Sequence, residues 1–544
     1  MYIRKLVIKN YKKFKNFSIE FNSKVNIIVG NNDEGKSTIL EAIHLALSGM
    51  NDGRPIRNEI SEYFFNKEVV REYIDSLSTD SKQDLPEISI EIIFEDDISQ
   101  NCALYVGDGN SLRENLAGIV YRICFNEEYA SEYAQYVKSN SRTSLPIEYY
   151  KIEWKTFARE TITYRSVPIK SVLIDSSAHK HQNGSDVYIS KIIKDLLDDN
   201  EIVALSQSYR TLKTDFKSDL AIQQLNKKIS EATYITDKNV SISVDMSMKH
   251  SWDTTLMTYI DDIPFQHIGK GEQCIIKTNL ALSHKKAENS NLILLEEPEN
   301  HLSHTKLNEL LKQIQTQCAE KQIIISTHSN FVANKLNLSN LILLGGEDAF
   351  NFNNLSEEDS LYFSKLSGYD TLRMILSNAS ILVEGPSDEL LVQKIYHKRY
   401  GKMPIEDNID VIAVQGLAFK RFLSIAKELS KNRIAIVTDN DGNYEEKIIK
   451  KYKDYINGEY QNIKICADNR NELNTLEPQF VEANIQNLSN LKKIIGISGE
   501  CSKDEIVKYM ENNKTEWALE VFNTESNFEI PKYINDAIDW VVNE

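Results

Sequence analysis

The sequence predicts an α/β protein of two successive units, the first interrupted by a helical stretch. Three observations predict it. A short apolar run, Val25–Val29, leads through a glycine-containing loop into a helix-periodic segment, Thr38–Leu47. Residues 186–232 then change to a period near 3.6, with no glycine and no proline. From Ser380 onward, apolar strands (381–384, 409–414, 433–439) alternate with helical segments, which predicts a parallel sheet with right-handed crossovers.

In chain order, Ile3, Leu6 and Ile8 among lysines predict a first strand, and Phe17–Phe21 a second. Val25–Val29 has the unbroken apolarity of a buried strand, and Leu85–Phe94 is a further strand. One or two long helices follow, strands resume near Val240–Val244, and the polar, acidic stretch 345–370 reads as a linker. The expected boundaries are 1–182 and 236–350 for the two parts of the first domain. The helical insert spans 183–235, the linker 351–377 and the second domain 378–544.

Composition bounds the function. The 544 residues suggest three or four domains. Hydrophobic content of 41% and charged content of 26% exclude wholesale disorder and collagen-like sequence. The 63 basic against 80 acidic residues give −17, which argues against a generic nucleic-acid coat. Within that, 378–544 holds 21 basic and 28 acidic residues, so the excess belongs to both domains and is not one acidic tail. No run approaches the roughly 18 apolar residues of a membrane-spanning helix, and the start lacks a signal-peptide core. Six cysteines without CxxC spacing read as reduced thiols. A cytoplasmic protein without membrane contact is expected.

The first chemical constellation is Gly30-Asn31-Asn32-Asp33-Glu34-Gly35-Lys36-Ser37-Thr38, which fits GxxxxGK[ST] between a strand and a helix. Its glycines let backbone N–H groups curl around phosphates, Lys36 reaches the β- and γ-phosphates, and Ser37 binds Mg²⁺. Asn291–Glu297 is a buried strand ending in Glu296 and Glu297, one suited to a metal's water shell and one to the attacking water. Ile323–His328 ends in a histidine that can sense a γ-phosphate, and Gly269-Lys270-Gly271-Glu272-Gln273 opens a helix suited to an anion.

The order of these four elements resembles the ATP-binding-cassette ATPases of the SMC-like branch. The resemblance implies ATP with Mg²⁺ between the phosphate loop of one subunit and the glycine signature of another. It makes Lys36 and Ser37 Walker A, Glu296 the Walker B metal position and Glu297 the catalytic glutamate. Gly269, Gly271 and Gln273 fall in the signature, Asn300–Leu302 in the D-loop, and His328 at the switch histidine. Two departures bear on hydrolysis: glutamate where aspartate is usual at the metal position, and GKGEQ in place of SGGQ. No convincing Q-loop glutamine is present.

The second constellation is a carboxylate set. Glu384 closes a strand, Asp388 lies in the first turn of the helix after it, and Asp439 and Asp441 follow another strand. In an extended segment residues i and i+2 point one way, so Asp439 and Asp441 are expected to share a cation. Hard oxygen ligands without sulfur or imidazole suit Mg²⁺ or Mn²⁺, and a metal pair of that kind serves phosphoryl transfer. The glutamate-glycine and DxD strand ends resemble the Toprim fold. With no obvious active tyrosine or gyrase-like neighbour, strand passage is not expected.

An SMC-like ATPase followed by a Toprim unit resembles the OLD (overcoming lysogenization defect) family of ATP-dependent nucleases over essentially the whole chain. The resemblance implies DNA cleavage with two Mg²⁺ or Mn²⁺ ions, and dimerisation or higher self-association through the helical insert. It also implies a further acidic ligand, Glu477 with Glu482 as the alternative, and a late lysine, Lys514, facing the scissile phosphate or simply solvent. It points to anti-phage defence beside a gene-neighbour protein such as a helicase or a reverse transcriptase with its retron DNA. Nucleic acid would meet one of two basic groups: Arg4, Lys5, Lys9, Lys12, Lys13 and Lys15, or Lys420, Arg421, Lys427, Lys431 and Arg433. A second class of function fits the acidity and unusual Walker B: an ATP-driven sensor or scaffold whose Toprim unit binds without cutting.

Overall fold

The alternation in the first hundred residues becomes an antiparallel sheet. In the computed structural model its strands run Phe14–Glu20, Tyr2–Tyr11, Ile88–Glu95, Leu116–Phe125 and Val106–Gly107, with Tyr150–Thr156 also pairing to Leu116–Phe125. Ile3 and Leu6 are both buried although three residues apart, because the register shifts between Ile3 and Lys5 and inserts an extra residue. The structure describes residues 1–51, 54–77, 84–95, 100–138, 144–175, 181–182, 185–186, 197–232, 242–243, 257–283, 291–317, 321–352, 355–366, 368–414, 418–429, 431–456, 458 and 460–542. Of the strand expected at Val240–Val244, Val240, Ser241 and Val244 lie outside the described residues.

The chain divides into two compact units, Met1–Thr327 with Leu344–Phe350, and His328–Leu343 with Asn351–Glu544. Beside the antiparallel sheet, the first unit contains parallel strands in the order Ser171–Asp175, Leu292–Glu296, Gln322–Ser326, Val25–Val29. Residues 292–295 and 322–326 are all buried, the unbroken apolarity of strands covered on both faces. The helix Lys36–Ser48 buries Ile39, Leu40, Ile43 and Leu47 and stops at Gly49, whose positive φ lets its N–H reach Leu45 O at 2.7 Å.

The insert contains two helices. Asp199–Ser218 starts on a reciprocal Asp198–Glu201 capping box, and Leu220–Ala232 follows directly. Val203, Leu212, Phe216 and Leu220 are more than half exposed on these helices.

The second unit carries a four-stranded parallel sheet in the order Ile409–Ala413, Ala379–Val383, Arg433–Val437, Ile463–Cys466. The helices Pro386–Tyr400, Leu476–Ala483, Lys514–Asn523 and Lys532–Val542 join these strands in one apolar core around Ile381, Val383, Phe480 and Trp517. The stretch 351–377, read as a linker, holds two helices here, Glu357–Lys365 and Thr371–Leu376. Phe363, Leu372, Met374 and Ile375 are buried there, together with the polar Asp359, Ser360, Thr371 and Ser377. Among the described residues, no helix is long and apolar enough to cross a membrane.

Candidate nucleotide site and carboxylate cluster

Gly35 sits at φ 95°, and a Cβ there would lie 2.5 Å from the Phe14 ring, so the loop needs glycine for both conformation and space. Lys36 is buried, its ammonium bonded to the carbonyls of Gly30 (3.0 Å) and Asn31 (2.9 Å). Burial lowers its pKa, and Glu297 is the strongest influence opposing that. Lys36 thus lies within electrostatic reach of Glu297. Asn31, Asn32 and Ser37 are exposed at the loop, and Thr38 is half-buried. The cradle fits a nucleotide phosphate: a buried cation held only by neutral carbonyls, below the N-terminus of a thirteen-residue helix.

Glu296 ends its strand in register with Asp175 and Ser326 of the flanking strands. Glu297 adopts φ 42°, a costly conformation for a non-glycine residue. It is held there by its N–H to Ser326 O (3.0 Å) and by Asn300 Nδ2 donating to Oε2 (2.7 Å). Sequence reasoning missed Glu299, whose Oε1 accepts from the fully buried Thr327 hydroxyl at 2.7 Å and ties the acidic turn to the next strand. His328 is exposed two residues beyond that strand.

The expected signature starts the helix Lys270–Ser283. A Cβ on Gly271 would lie 2.4 Å from His301 O, so this helix start rests directly on the expected D-loop backbone. Nothing lies within 4 Å of a Cβ at Gly269, and Gln273 is buried with its amide on Ile268 O at 3.0 Å.

In the second unit, Glu384 follows the strand Ala379–Val383, where Oε1 accepts from Thr438 Oγ1 (2.7 Å) and Asp439 N (2.9 Å). Asp388 Oδ2 accepts from Gly385 N at 3.2 Å. Burial, then Glu384, push Asp388 up to about 7. Burial, then Glu384, Asp388 and Glu477, push Asp439 up to about 9, against a bond from the Leu476 N–H. Four carboxylates therefore gather: Glu384, Asp388, Asp439 and Glu477. Without a cation the cluster lowers its charge by holding protons. With hard oxygens alone, the cluster fits Mg²⁺ or Mn²⁺. As they stand, no three His, Cys, Asp or Glu side chains among the described residues are gathered closely enough to ligate one ion.

Asp441 departs from expectation. The segment after Val437 turns instead of staying extended: Asn440 is fully buried and donates to the carbonyls of Asp468, Arg470 and Leu473. Asp441 and Gly442 follow at φ 47° and 77°. Asp441 is consequently exposed, 3.3 Å from Lys447, and outside the group of four. Between the two late glutamates, Glu477 is buried in the cluster, whereas Glu482 pairs with Lys503. Lys514 is exposed, and its carbonyl accepts from Ser387 Oγ at 3.0 Å, one residue before Asp388.

The basic groups are largely engaged. Lys5, Lys12, Lys13 and Lys15 pair with Glu20, Glu41, Glu34 and Glu72. Arg421 pairs with Glu358 and Asp359, Lys427 lies 5.1 Å from the Tyr455 and Tyr460 ring centres, and Arg433 donates to Trp540 O. Beside the carboxylates, Lys451 feels Glu384, Asp441, Lys447 and Lys420, in that order, after its own burial.

Residues 5–322 match the family model described as AAA domain, and residues 375–441 match the TOPRIM domain of overcoming lysogenization defect protein-like sequences. The chain is 24% identical to the retron Vc95 probable ATPase of Vibrio cholerae serotype O1 biovar El Tor over 72% of its length and 82% of that protein's. It is 23% identical to endonuclease GajA of Bacillus cereus (strain VD045), covering 80% and 74%. The SMC head domain from Thermotoga maritima aligns with 64% of the chain and 97% of that structure, at 12% identity and a TM-score of 0.29.

Proposed function

We propose that this chain, which belongs to the AAA domain family and carries an overcoming lysogenization defect-like TOPRIM domain, is an ATP-regulated, divalent-metal-dependent DNA endonuclease. The observation that carries the proposal is the cluster of Glu384, Asp388, Asp439 and Glu477, in which the charges acting on Asp388 and Asp439 are those of other carboxylates. Two bound Mg²⁺ or Mn²⁺ ions supply activation of the attacking water and stabilisation of the leaving oxygen. Glu384 is held by Thr438 and the Asp439 N–H, so its carboxylate is oriented before any ion arrives. Asp441 serves the rim of the site, where an incoming phosphodiester meets Lys447, Lys451 and Lys420. Lys514, anchored through its carbonyl beside Asp388, faces the scissile phosphate.

ATP engages the first unit. Lys36 exchanges two loop carbonyls for phosphate oxygens, Ser37 and Glu296 hold Mg²⁺, and Glu297 orients the attacking water. Gly269, Gly271 and Gln273 complete the site of a second copy. The exposed Val203, Leu212, Phe216 and Leu220 support self-association through the insert. Similarity to a retron ATPase and to an endonuclease supports a place in anti-phage defence, with a helicase or a reverse transcriptase and its retron DNA as partner.

One observation favours a second reading, an ATP-driven sensor that binds nucleic acid without cutting it: Asp441 turns away from its expected companions. A plasmid assay with Mg²⁺ or Mn²⁺, with and without ATP, decides. Cleavage that disappears in Glu384→Ala supports the nuclease, and ATP hydrolysis without cleavage in any metal supports the sensor.

A further inference from the structure

Tyr533 lies at the start of the C-terminal helix Lys532–Val542, which packs on the strand Arg433–Val437 leading to Asp439. The residue is 5% exposed, and its hydroxyl has no hydrogen-bond partner among the described residues. Buried tyrosine hydroxyls usually find one, and leaving one unpaired costs stability. The charged groups facing it are carboxylates: Asp439 most strongly, then Asp388, Asp468 and Glu384. Asp468 is already chelated by Arg470, through Nε at 2.9 Å, Nη2 at 2.7 Å and the backbone N–H at 3.0 Å. The remaining three belong to the carboxylate cluster. Burial and these neighbours keep the phenol protonated, so Tyr533 presents a donor to a group of acceptors without bonding any of them.

Carboxylates that ligate a metal are themselves held by outer hydrogen bonds, which fix their orientation and tune affinity. We propose that Tyr533 is a positioning residue for the divalent-cation centre: its hydroxyl donates to Asp439 when a cation draws that carboxylate into place, and so completes a hydrogen bond missing from the cation-free protein. This rests on the metal-dependent reading of the cluster. The unpartnered hydroxyl is then a feature of one state of the site. It lowers the stability of the cation-free form and strengthens cation binding.

The test uses full-length protein without nucleotide or DNA, with Mn²⁺ as the probe. Tyr533→Phe removes only the hydroxyl. The expected result is a cation-free melting temperature equal to or above the parent's, because no bond is lost, together with Mn²⁺ affinity about tenfold weaker by titration calorimetry. Asp439→Ala defines which binding belongs to this centre. If the parent and Asp439→Ala bind Mn²⁺ alike, the metal reading itself fails and the proposal goes with it. If Asp439→Ala loses Mn²⁺ while Tyr533→Phe binds like the parent, the metal centre stands and the role of Tyr533 is overturned. A Tyr533→Phe variant that melts lower without Mn²⁺ also overturns it, because the hydroxyl then has a structural partner.

Discussion

At the nucleotide loop the chain supplies its own cation, whereas at the carboxylate cluster it supplies only anions. Lys36 closes its loop by bonding two carbonyls, so nucleotide must compete with an interaction the protein already makes. At the cluster the charges acting on Asp388 and Asp439 are those of other carboxylates, and both retain protons at pH values where carboxyls are normally ionised. One site is therefore poised for exchange and the other for capture. The contrast also explains how an acidic protein can act on a polyanion, since a bound divalent cation reverses the local charge.

The largest expected effect tests the second half of that contrast. Glu384→Ala or Asp439→Ala should lower DNA cleavage by at least about 100-fold and leave ATP hydrolysis unchanged. Lys36→Ala should lower nucleotide turnover directly and alter cleavage only through its dependence on ATP. If both variants impair both activities equally, the separation of roles breaks. Next, pH and metal should be linked. Asp388 and Asp439 bind protons more tightly folded than unfolded, so their contribution to stability in the absence of metal falls as pH rises from about 4 towards 9. Mn²⁺ displaces those protons, so the rise in melting temperature on adding Mn²⁺ should grow from pH 6 to pH 9. A flat response would remove the cluster's charge argument.

A third expectation concerns the nucleotide side. Gly271→Ala places a methyl against the His301 carbonyl and should cost about 1–3 kcal/mol by denaturant unfolding, with weaker ATP turnover. The smallest effect is at the rim. Lys447→Ala and Lys451→Ala should each reduce the salt dependence of DNA binding by about one unit of log–log slope, measured in a cleavage-dead background. Arg421→Ala should leave that slope unchanged, because Arg421 is committed to Glu358 and Asp359.

The nucleotide loop was legible because its chemistry is local: strand, glycines, lysine and helix are contiguous. The Glu384 and Asp439 strand ends were legible for the same reason. The i, i+2 argument for Asp441 failed because it assumed an extended backbone. The Asn440-Asp441-Gly442 run is itself a turn signal, and it outweighs the strand's alternation. The commitment of Arg421 was not legible because its ion-pair partners Glu358 and Asp359 lie some sixty residues away in sequence. Glu299 and Tyr533 carried no motif, since each acts through a partner the chain supplies from elsewhere.

The sequence by itself determined the two α/β units, the phosphate loop and the strand-end carboxylates, because hydrophobic period, glycine placement and strand termini are properties of neighbouring residues. Only the tertiary structure decided which late glutamate joins the cluster. Glu477 sits in the first turn of Leu476–Ala483, whose Leu476 N–H bonds Asp439, and docking of that helix end brings Glu477 in while Glu482 goes out to Lys503. Burial and long-range contact set that choice, and both depend on how distant segments pack.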